Sequence, residues 1–233
     1  MNLREMIEEC NRIVFFGGAG VSTESGIPDF RSQDGLYSLK YSVPPETILS
    51  ADYFYAHTEH FFEFYRERML PLWAKPNAAH KKLAEWEKEG KLLAVVTQNI
   101  DGLHQKAGSK SVYELHGSIH RNTCLQCGKK YSAEEVAKST GIPKCSCGGL
   151  IKPDVVLYGE PLDEKTVRGA VNAIAKADML IVAGTSLTVY PAAGFVDYFC
   201  GKYLVLINRD ETALDARADL VLHEKIGEIF SKL

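Results

Sequence analysis

Four of the six cysteines in this 233-residue sequence fall in one short window: Cys124 and Cys127 in CLQCG, and Cys145 and Cys147 in CSCGG. Two close pairs, each followed by glycine and separated by residues 128–144, suit tetrahedral zinc. Four sulfur ligands leave no position open for water or substrate, so the expected role is structural. The second pair is C-x-C rather than C-x-x-C, which demands a tighter turn. Cys10 and Cys200 stand alone and are expected to be small core residues. The other chemically suggestive group is glycine-rich: Gly17, Gly18 and Gly20 end an apolar run, and Gly26 follows. Such a turn lets the backbone approach a diphosphate, whose charge a following helix N-terminus stabilises. The spacing is not G-x-G-x-x-G, and no acidic residue ends a second strand about 20 residues on, so ordinary hydride transfer is disfavoured. Taken alone, the glycines point only to a nucleotide.

The elements that must position these groups follow from the apolar pattern. Residues 12–17, 92–98, 179–184 and 203–208 are short runs rich in Val, Ile and Leu, as expected of strands buried on both faces of a parallel sheet. Helical stretches separate them, AHKKLAEWEKEG before the second and DEKTVRGAVNAIAKAD before the third. This alternation predicts an α/β fold, a Rossmann-like doubly wound parallel sheet. Ligands of such sheets gather at the carboxyl ends of the strands. The segments GAGVSTESG, TQNIDG, GTSL and INRDE fall there.

Two pieces lie outside the alternation. Residues 52–69 place Phe54, Thr58, Phe61, Phe62, Tyr65 and Met69 on one face of a single predicted helix that packs onto the body. Residues 120–150 read as a zinc-ribbon insertion. The expected division is a body of about 1–30, 72–119 and 151–233, with a small lobe of about 31–71 (helical) and 120–150 (ribbon). Hydrophobic residues at 45% and charged residues at 24% exclude a disordered or fibrous chain, and a net charge of −3 argues against binding nucleic acid through bulk charge. No apolar run reaches the roughly 18 residues that cross a bilayer. The opening MNLREMIEECNR reads as an amphipathic helix without the apolar core of a secretion signal, so a cytoplasmic location is expected.

The motifs GAGVSTESGIPDFRS (18–32), TQNIDGLHQKAGS (97–109), ELHGS (114–118), KPDVVLYGE (152–160) and GTSLTVYPAA (184–193) occur in this order around the four cysteines. Together they resemble the sirtuins, NAD-dependent protein lysine deacylases, over nearly the whole chain as a single catalytic domain. The short termini resemble the bacterial and archaeal core enzymes. The resemblance implies that NAD is consumed as a co-substrate beside one structural zinc ion. The acetyl-lysine carbonyl oxygen attacks the nicotinamide ribose, and the products are nicotinamide, O-acetyl-ADP-ribose and free lysine.

It also assigns roles by position. His116 matches the catalytic general base toward a ribose hydroxyl, a task suited to imidazole near neutral pH. His104 is expected to be a structural part of its turn. Ala19, Gly20, Ser22 and Thr23 would line the diphosphate, and Asp29, Phe30 and Arg31 belong to the cofactor-binding loop. Gln98 and Asn99 would contact ribose and organise water, Asn99 as a catalytic residue; Ile100 and Asp101 resemble the nicotinamide carboxamide clamp. Thr185, Ser186 and Asn208 match positions on the adenosine half, with Ile226 near adenine. Val155 and Val156 would contact the substrate peptide through a strand-like edge.

The implied partners are acyl-lysine proteins or peptides, with no membrane and no specific nucleic acid; the sequence leaves the oligomeric state open. Two alternatives keep the fold and NAD use. Tyr65 and Arg68, spaced Y-x-x-R, resemble the pair that recognises succinyl- and malonyl-lysine, which would make the enzyme a desuccinylase or demalonylase. Transfer of ADP-ribose to an acceptor is the other. A non-enzymatic zinc-binding module would require clustered basic residues near the cysteines, where CGKKY offers a short patch, and would leave His116 unexplained.

Overall fold

The structure is a computed structural model and describes residues 2–30, 35 and 41–233. Helix α1 (Leu3–Glu8) is closed by a capping box in which the Asn2 side chain accepts from the Glu5 N–H. Strand β1 (Ile13–Gly17) follows, buried throughout, and leads into a 3-10 helix at Ala19–Ser25. The predicted helix after the glycines is thus one short, tight segment. Ser, Thr and Val are poor helix formers, and Gly26, at φ +84°, ends it.

Three short helices come next: α2 (Pro45–Ile48), α3 (Ala51–Ala56) and α4 (Thr58–Arg68). The single helix expected over 52–69 is therefore two, broken at His57 (φ −134°, ψ 48°). The Thr58 hydroxyl donates to the Phe54 carbonyl at 2.8 Å, and the bend sets the Phe54 and Phe61 rings edge to face, 4.8 Å apart. No glycine or proline marks this break.

Helix α5 (Ala78–Lys88), strand β2 (Leu92–Thr97), helix α6 (Leu103–Ala107) and strand β3 (Val112–Glu114) continue the body. Next come β4 (Gly117–Cys124), β5 (Lys130–Tyr131), α7 (Ala133–Lys138) and β6 (Ile151–Val155). The chain ends with α8 (Glu164–Lys176), β7 (Met179–Ala183), a 3-10 helix at Ala192–Tyr198, β8 (Tyr203–Ile207), β9 (Leu220–Leu222) and α9 (Ile226–Phe230).

Among the described residues the large sheet has the order β3-β2-β1-β7-β8-β9, and all its pairs are parallel. Side-chain alternation splits each central strand between two cores. Ile13, Phe15, Val95 and Ile181 face α1, α5 and α9, whereas Val14, Phe16, Val96 and Val182 face α8 and the 3-10 helix at 192–198. The two edge strands β3 and β9 are three residues long and half-buried, too short for the longer apolar runs that mark the others. Cys10 is buried in the first core, as expected. Cys200 is exposed, contrary to expectation, because Phe195 and Val196 fill the core and the chain turns outward after Tyr198.

The strands β5, β4 and β6 form a separate antiparallel sheet that reaches beyond residues 120–150 on both sides. Its core is continuous with that of α3 and α4: Phe54, Phe61, Phe62 and Tyr65 pack with Ile119, Ile151 and Val155. Among the described residues no helix is long and apolar enough to cross a membrane.

The order of the large sheet reverses between β1 and β7, and the turns after these strands meet by backbone contact. The Gly18 and Gly20 N–H groups donate to the carbonyls of Ala183 (3.1 Å) and Gly184 (2.8 Å). A Cβ on Gly20 would lie 2.7 Å from the Gly184 Cα, and one on Gly184, at φ +58°, would lie 2.5 Å from the Val21 nitrogen. The glycines are therefore required by backbone packing within the protein itself. Gly184→Ala combines a strained φ with overlap against backbone, and should cost about 2 kcal/mol or more. Thermal denaturation should show a Tm lowered by roughly 4 °C or more; an unchanged Tm would mean the turns separate freely.

Candidate functional site

A cleft of about 630 Å³ lies where the carboxyl ends of β1, β2, β7 and β8 face the small lobe. Gly18–Gly20, Gln98–Asp101, Gly184–Ser186 and Asn208–Thr212 line it from the large sheet; Met69, Ile119 and Val155–Gly159 line it from the side of α4 and the antiparallel sheet. This is the crevice expected at a topological switch point.

His116 stands between β3 and β4 in the cleft wall. Its Nδ1 lies 3.0 Å from the Gln98 carbonyl oxygen. A carbonyl only accepts, so Nδ1 carries the proton and Nε2 of the neutral ring keeps its lone pair. Burial pushes the imidazole pKa below its ordinary 6.5, opposed by the weaker effect of the Gln98 carbonyl. The side chain is thus an oriented, neutral base at pH 7.

Below it runs a chain of hydrogen bonds. Asn99 Nδ2 donates to Ser22 Oγ (3.1 Å), and Ser22 Oγ donates to Asp101 Oδ2 (2.7 Å). Asp101 Oδ1 accepts from the Leu103 N–H (2.9 Å). Burial raises the Asp101 pKa, and the Leu103 and Ser22 hydrogen bonds oppose it. Gln98 Nε2 donates to Thr185 Oγ1 (3.0 Å), joining the ends of β2 and β7. Ile119 N–H donates to the Ile100 carbonyl (3.0 Å) and His120 Nε2 to that of Asp101 (2.9 Å), holding this loop against β4.

The cleft brings together Ala19, Gly20, Thr23, Asp29, Phe30, Gln98, Asn99, Ile100, Asp101, His116, Val155, Val156, Thr185, Ser186, Asn208 and Ile226. Ser22 is not in its wall: the side chain is buried and spent on Asn99 and Asp101. Arg31 lies outside the described residues. Tyr65 also misses the wall, its hydroxyl sealed in the small-lobe core without a hydrogen-bond partner among the described residues. Arg68 does reach the cleft, paired with Glu67 at 2.9 Å. His104 is buried in α6 against His80, with ring centroids 4.6 Å apart. Sequence reading missed Tyr190, Arg209, Glu211, Thr212, Glu224 and Lys225 in the wall. The segment INRDE carried the signal for part of this group, because it follows β8 at the carboxyl edge. Arg209 is ion-paired across the cleft with Asp29 at 3.6 Å.

The four-cysteine cluster lies in the small lobe. The Sγ atoms of Cys124, Cys127, Cys145 and Cys147 are all within 4.8 Å of one another, with Cys124–Cys147 at 3.5 Å and Cys127–Cys145 at 3.6 Å. Zinc–sulfur bonds of about 2.3 Å give a tetrahedral edge of ~3.8 Å, so the donors fit zinc. The tight second pair is closed by the Gly148 N–H donating to the Cys145 carbonyl at 2.8 Å, with Gly148 at φ +87°.

A family model described as the Sir2 family matches residues 18–191. A protein of Clostridium acetobutylicum named NAD-dependent protein deacetylase is 62% identical over 231 residues, covering 97% of this chain and 94% of its own. One of the same name from Clostridium perfringens is 55% identical, covering 99% and 96%. A solved structure of Sir2 with a deacetylated p53 peptide and 3'-O-acetyl ADP-ribose superposes with a TM-score of 0.91 at 42% identity, over 100% of this chain and 97% of that one. A complex of Sir2 with a p53 peptide and NAD+ gives 0.87 at 40% identity, over 100% and 97%.

Cys124 and Cys145 belong to the hydrophobic core of the small lobe, so metal and packing are linked. Cys124→Ala should lose the metal and lower Tm by roughly 10 °C or more, with activity falling as a consequence. Metal content and calorimetry read this directly. A metal-free variant that keeps its fold and activity would contradict the structural role.

Proposed function

Because the chain belongs to the Sir2 family, we propose that it is an NAD-dependent protein lysine deacetylase that releases nicotinamide, O-acetyl-ADP-ribose and deacetylated lysine. The observation that carries this reading is His116: a half-buried, neutral imidazole with Nδ1 held by the Gln98 carbonyl, in a cleft between a glycine turn and the strand edge at Val155–Val156. The cleft fits a dinucleotide, since it runs along the carboxyl edge of the sheet from the Gly18–Gly20 turn to the end of β8. When bound, NAD supplies a ribosyl bond to nicotinamide that breaks as the acetyl oxygen becomes attached to the ribose. The residues that would hold it are Ala19, Gly20 and Thr23 at the diphosphate, Asp29, Phe30 and Arg31 in the loop beyond, Gln98–Asp101 at the nicotinamide ribose, and Thr185, Ser186, Asn208 and Ile226 at the adenosine.

His116 takes the proton of a ribose hydroxyl on Nε2, because Nδ1 is already committed to Gln98. Asn99 is oriented by its hydrogen bond to Ser22 and organises water. Asp101 and the Ile100 backbone, tied to β4 through Ile119 and His120, clamp the carboxamide. Ser22 acts through Asn99 and Asp101 rather than at the diphosphate. Val155 and Val156 contact the peptide. Acetyl is favoured over an acidic acyl group because the Tyr65 hydroxyl is enclosed in the core and Arg68 is occupied by Glu67. The division we favour assigns 117–124 and 151–155 to the small lobe, since they pair as one sheet. We assign the protein to the cytoplasm, because six unpaired cysteines, four of them a fitted metal site, suit a reducing compartment.

His116→Ala should lower peptide deacetylation by roughly 100-fold or more while retaining the fold. Full NAD-dependent activity in that variant would sink the mechanism. The pH dependence has a definite sign. A histidine whose pKa is lowered by burial stays neutral below its ordinary 6.5, so the base is lost only as pH falls further. Accordingly kcat/KM for NAD should be level from about pH 8 to 7 and fall on an acid limb whose midpoint lies under the ordinary histidine range. A midpoint above 7 would exclude His116 as the titrating base.

A further inference from the structure

The segment Val155–Glu160 turns back on itself beside the cleft, and its polar backbone atoms can be followed one by one. The Val156 N–H donates to the His116 carbonyl (2.9 Å), and the Leu157 carbonyl accepts from the Glu160 N–H (2.9 Å). The Tyr158 N–H donates to the Leu49 carbonyl (3.0 Å), and its carbonyl accepts from the Ala51 N–H (2.9 Å). Two more groups are held by side chains that also hold each other. Glu160 Oε2 accepts from the Leu157 N–H at 2.9 Å, and Lys152 Nζ donates to the Val155 carbonyl at 3.1 Å. Lys152 Nζ and Glu160 Oε2 are 3.0 Å apart, with side chains only 13% and 23% exposed. The ammonium also lies over the Phe54 ring at 5.9 Å, which anchors it to the aromatic core of the lobe. Among the described residues, the Val156 carbonyl and the backbone N–H and C=O of Gly159 are left without partners, and both residues line the cleft.

We propose that Lys152 and Glu160 are positioning residues for the acyl-lysine peptide: their ion pair, hydrogen-bonded to the Val155 carbonyl and the Leu157 N–H, fixes the turn so that the unpartnered groups of Val156 and Gly159 stand ready at the cleft wall to pair with substrate backbone. This rests on the deacetylase reading of the cleft. An enclosed ion pair with charge-assisted bonds to backbone holds its geometry better than a solvated one. An edge presented already shaped also spares the peptide the cost of ordering it.

The test measures binding of a labelled acetyl-lysine peptide by fluorescence anisotropy, together with KM for peptide and for NAD. Glu160→Ala removes both the ion pair and the acceptor for Leu157. Peptide binding should weaken and peptide KM rise by roughly tenfold, with KM for NAD within about twofold. Glu160→Gln keeps an acceptor for the Leu157 N–H and loses only the charge pair, so its effect should be about threefold; this milder variant carries the test if the alanine variant does not fold. The exchange Lys152→Glu with Glu160→Lys restores opposite charges but gives Leu157 no acceptor, and should fail to rescue. Unchanged peptide binding in both Glu160 variants, an equal rise in both KM values, or full rescue by the exchange would overturn the proposal. Peptide binding by a native chain that removes no acetyl group would instead defeat the deacetylase reading, leaving this inference to be decided by the binding ratios alone.

Discussion

The turns after β1 and β7 touch through backbone alone, and that contact sets where everything else at the cleft can be. With the Gly18 and Gly20 N–H groups bonded to Ala183 and Gly184, no side chain fits between the two turns. The 3-10 helix that follows is then fixed in direction. The Asn77 side chain, which caps α5, also donates to the Val21 carbonyl (2.8 Å) and Ser25 hydroxyl (3.1 Å), so the second layer of the body holds the same segment. Ser22 is thereby aimed inward, and through it Asn99 and Asp101 are placed.

The polar groups near the cleft are costly to bury, and the structure treats them unequally. Asp101 is compensated by the Leu103 N–H and the Ser22 hydroxyl while burial still raises its pKa. His116 has one ring nitrogen bonded to Gln98, which fixes the tautomer and leaves the other nitrogen for chemistry. His80 and His104 pack ring against ring behind the glycine turn; burial lowers both pKa values, that of His80 to about 4. Both are neutral in the folded chain. Because the unfolded chain binds protons on these rings first, they take stability away as pH falls below the ordinary histidine range. The same burial that keeps His116 a base at pH 7 therefore sets an acid limit on the fold.

Much of this was legible in the residues, for reasons that differ by element. The strands β1, β2, β7 and β8 are buried on both faces and leave an unbroken apolar run. Strands β3 and β9 sit at the sheet edges, half-buried and three residues long; β3 reads VYE, and the LVL of β9 is too short a run to announce a strand. The break at His57 is imposed by packing of Phe54 against Phe61, a tertiary effect without a breaker residue. Motifs located most of the cleft, because GAGVSTESG, TQNIDG, GTSL and INRDE each sit at the carboxyl end of a central strand, β1, β2, β7 and β8 in turn. They did not reveal which way a side chain points: Ser22 and Tyr65 lie in matching positions, yet one faces a hydrogen-bond network and the other a closed core. The charged wall around Arg209 and Glu224 comes from turns that carry few glycines and little apolar contrast.

The cysteines are bound to the chemistry by mechanics rather than by reach. Cys124 ends the strand that begins at Gly117, beside His116. Their partners on β6, Ile151 and Val155, are four residues apart, so at about 3.3 Å per residue the metal turn lies on the order of 13 Å along the sheet from the end beside the base, too far for a closed zinc site to act on substrate. The same strand nevertheless pairs Cys124 with Ile151 and Gly117 with Val155, so β6 is held at one end by the metal turn and delivers its other end to the cleft. Gly117, at φ +76°, permits this approach, since a Cβ there would meet the Asp154 carbonyl oxygen at 2.0 Å. Beyond Val155 the Lys152–Glu160 pair takes over the shaping of the edge. Metal, sheet and ion pair thus act in series on one stretch of backbone, and the rigidity at the peptide edge originates in ligands that never touch the substrate.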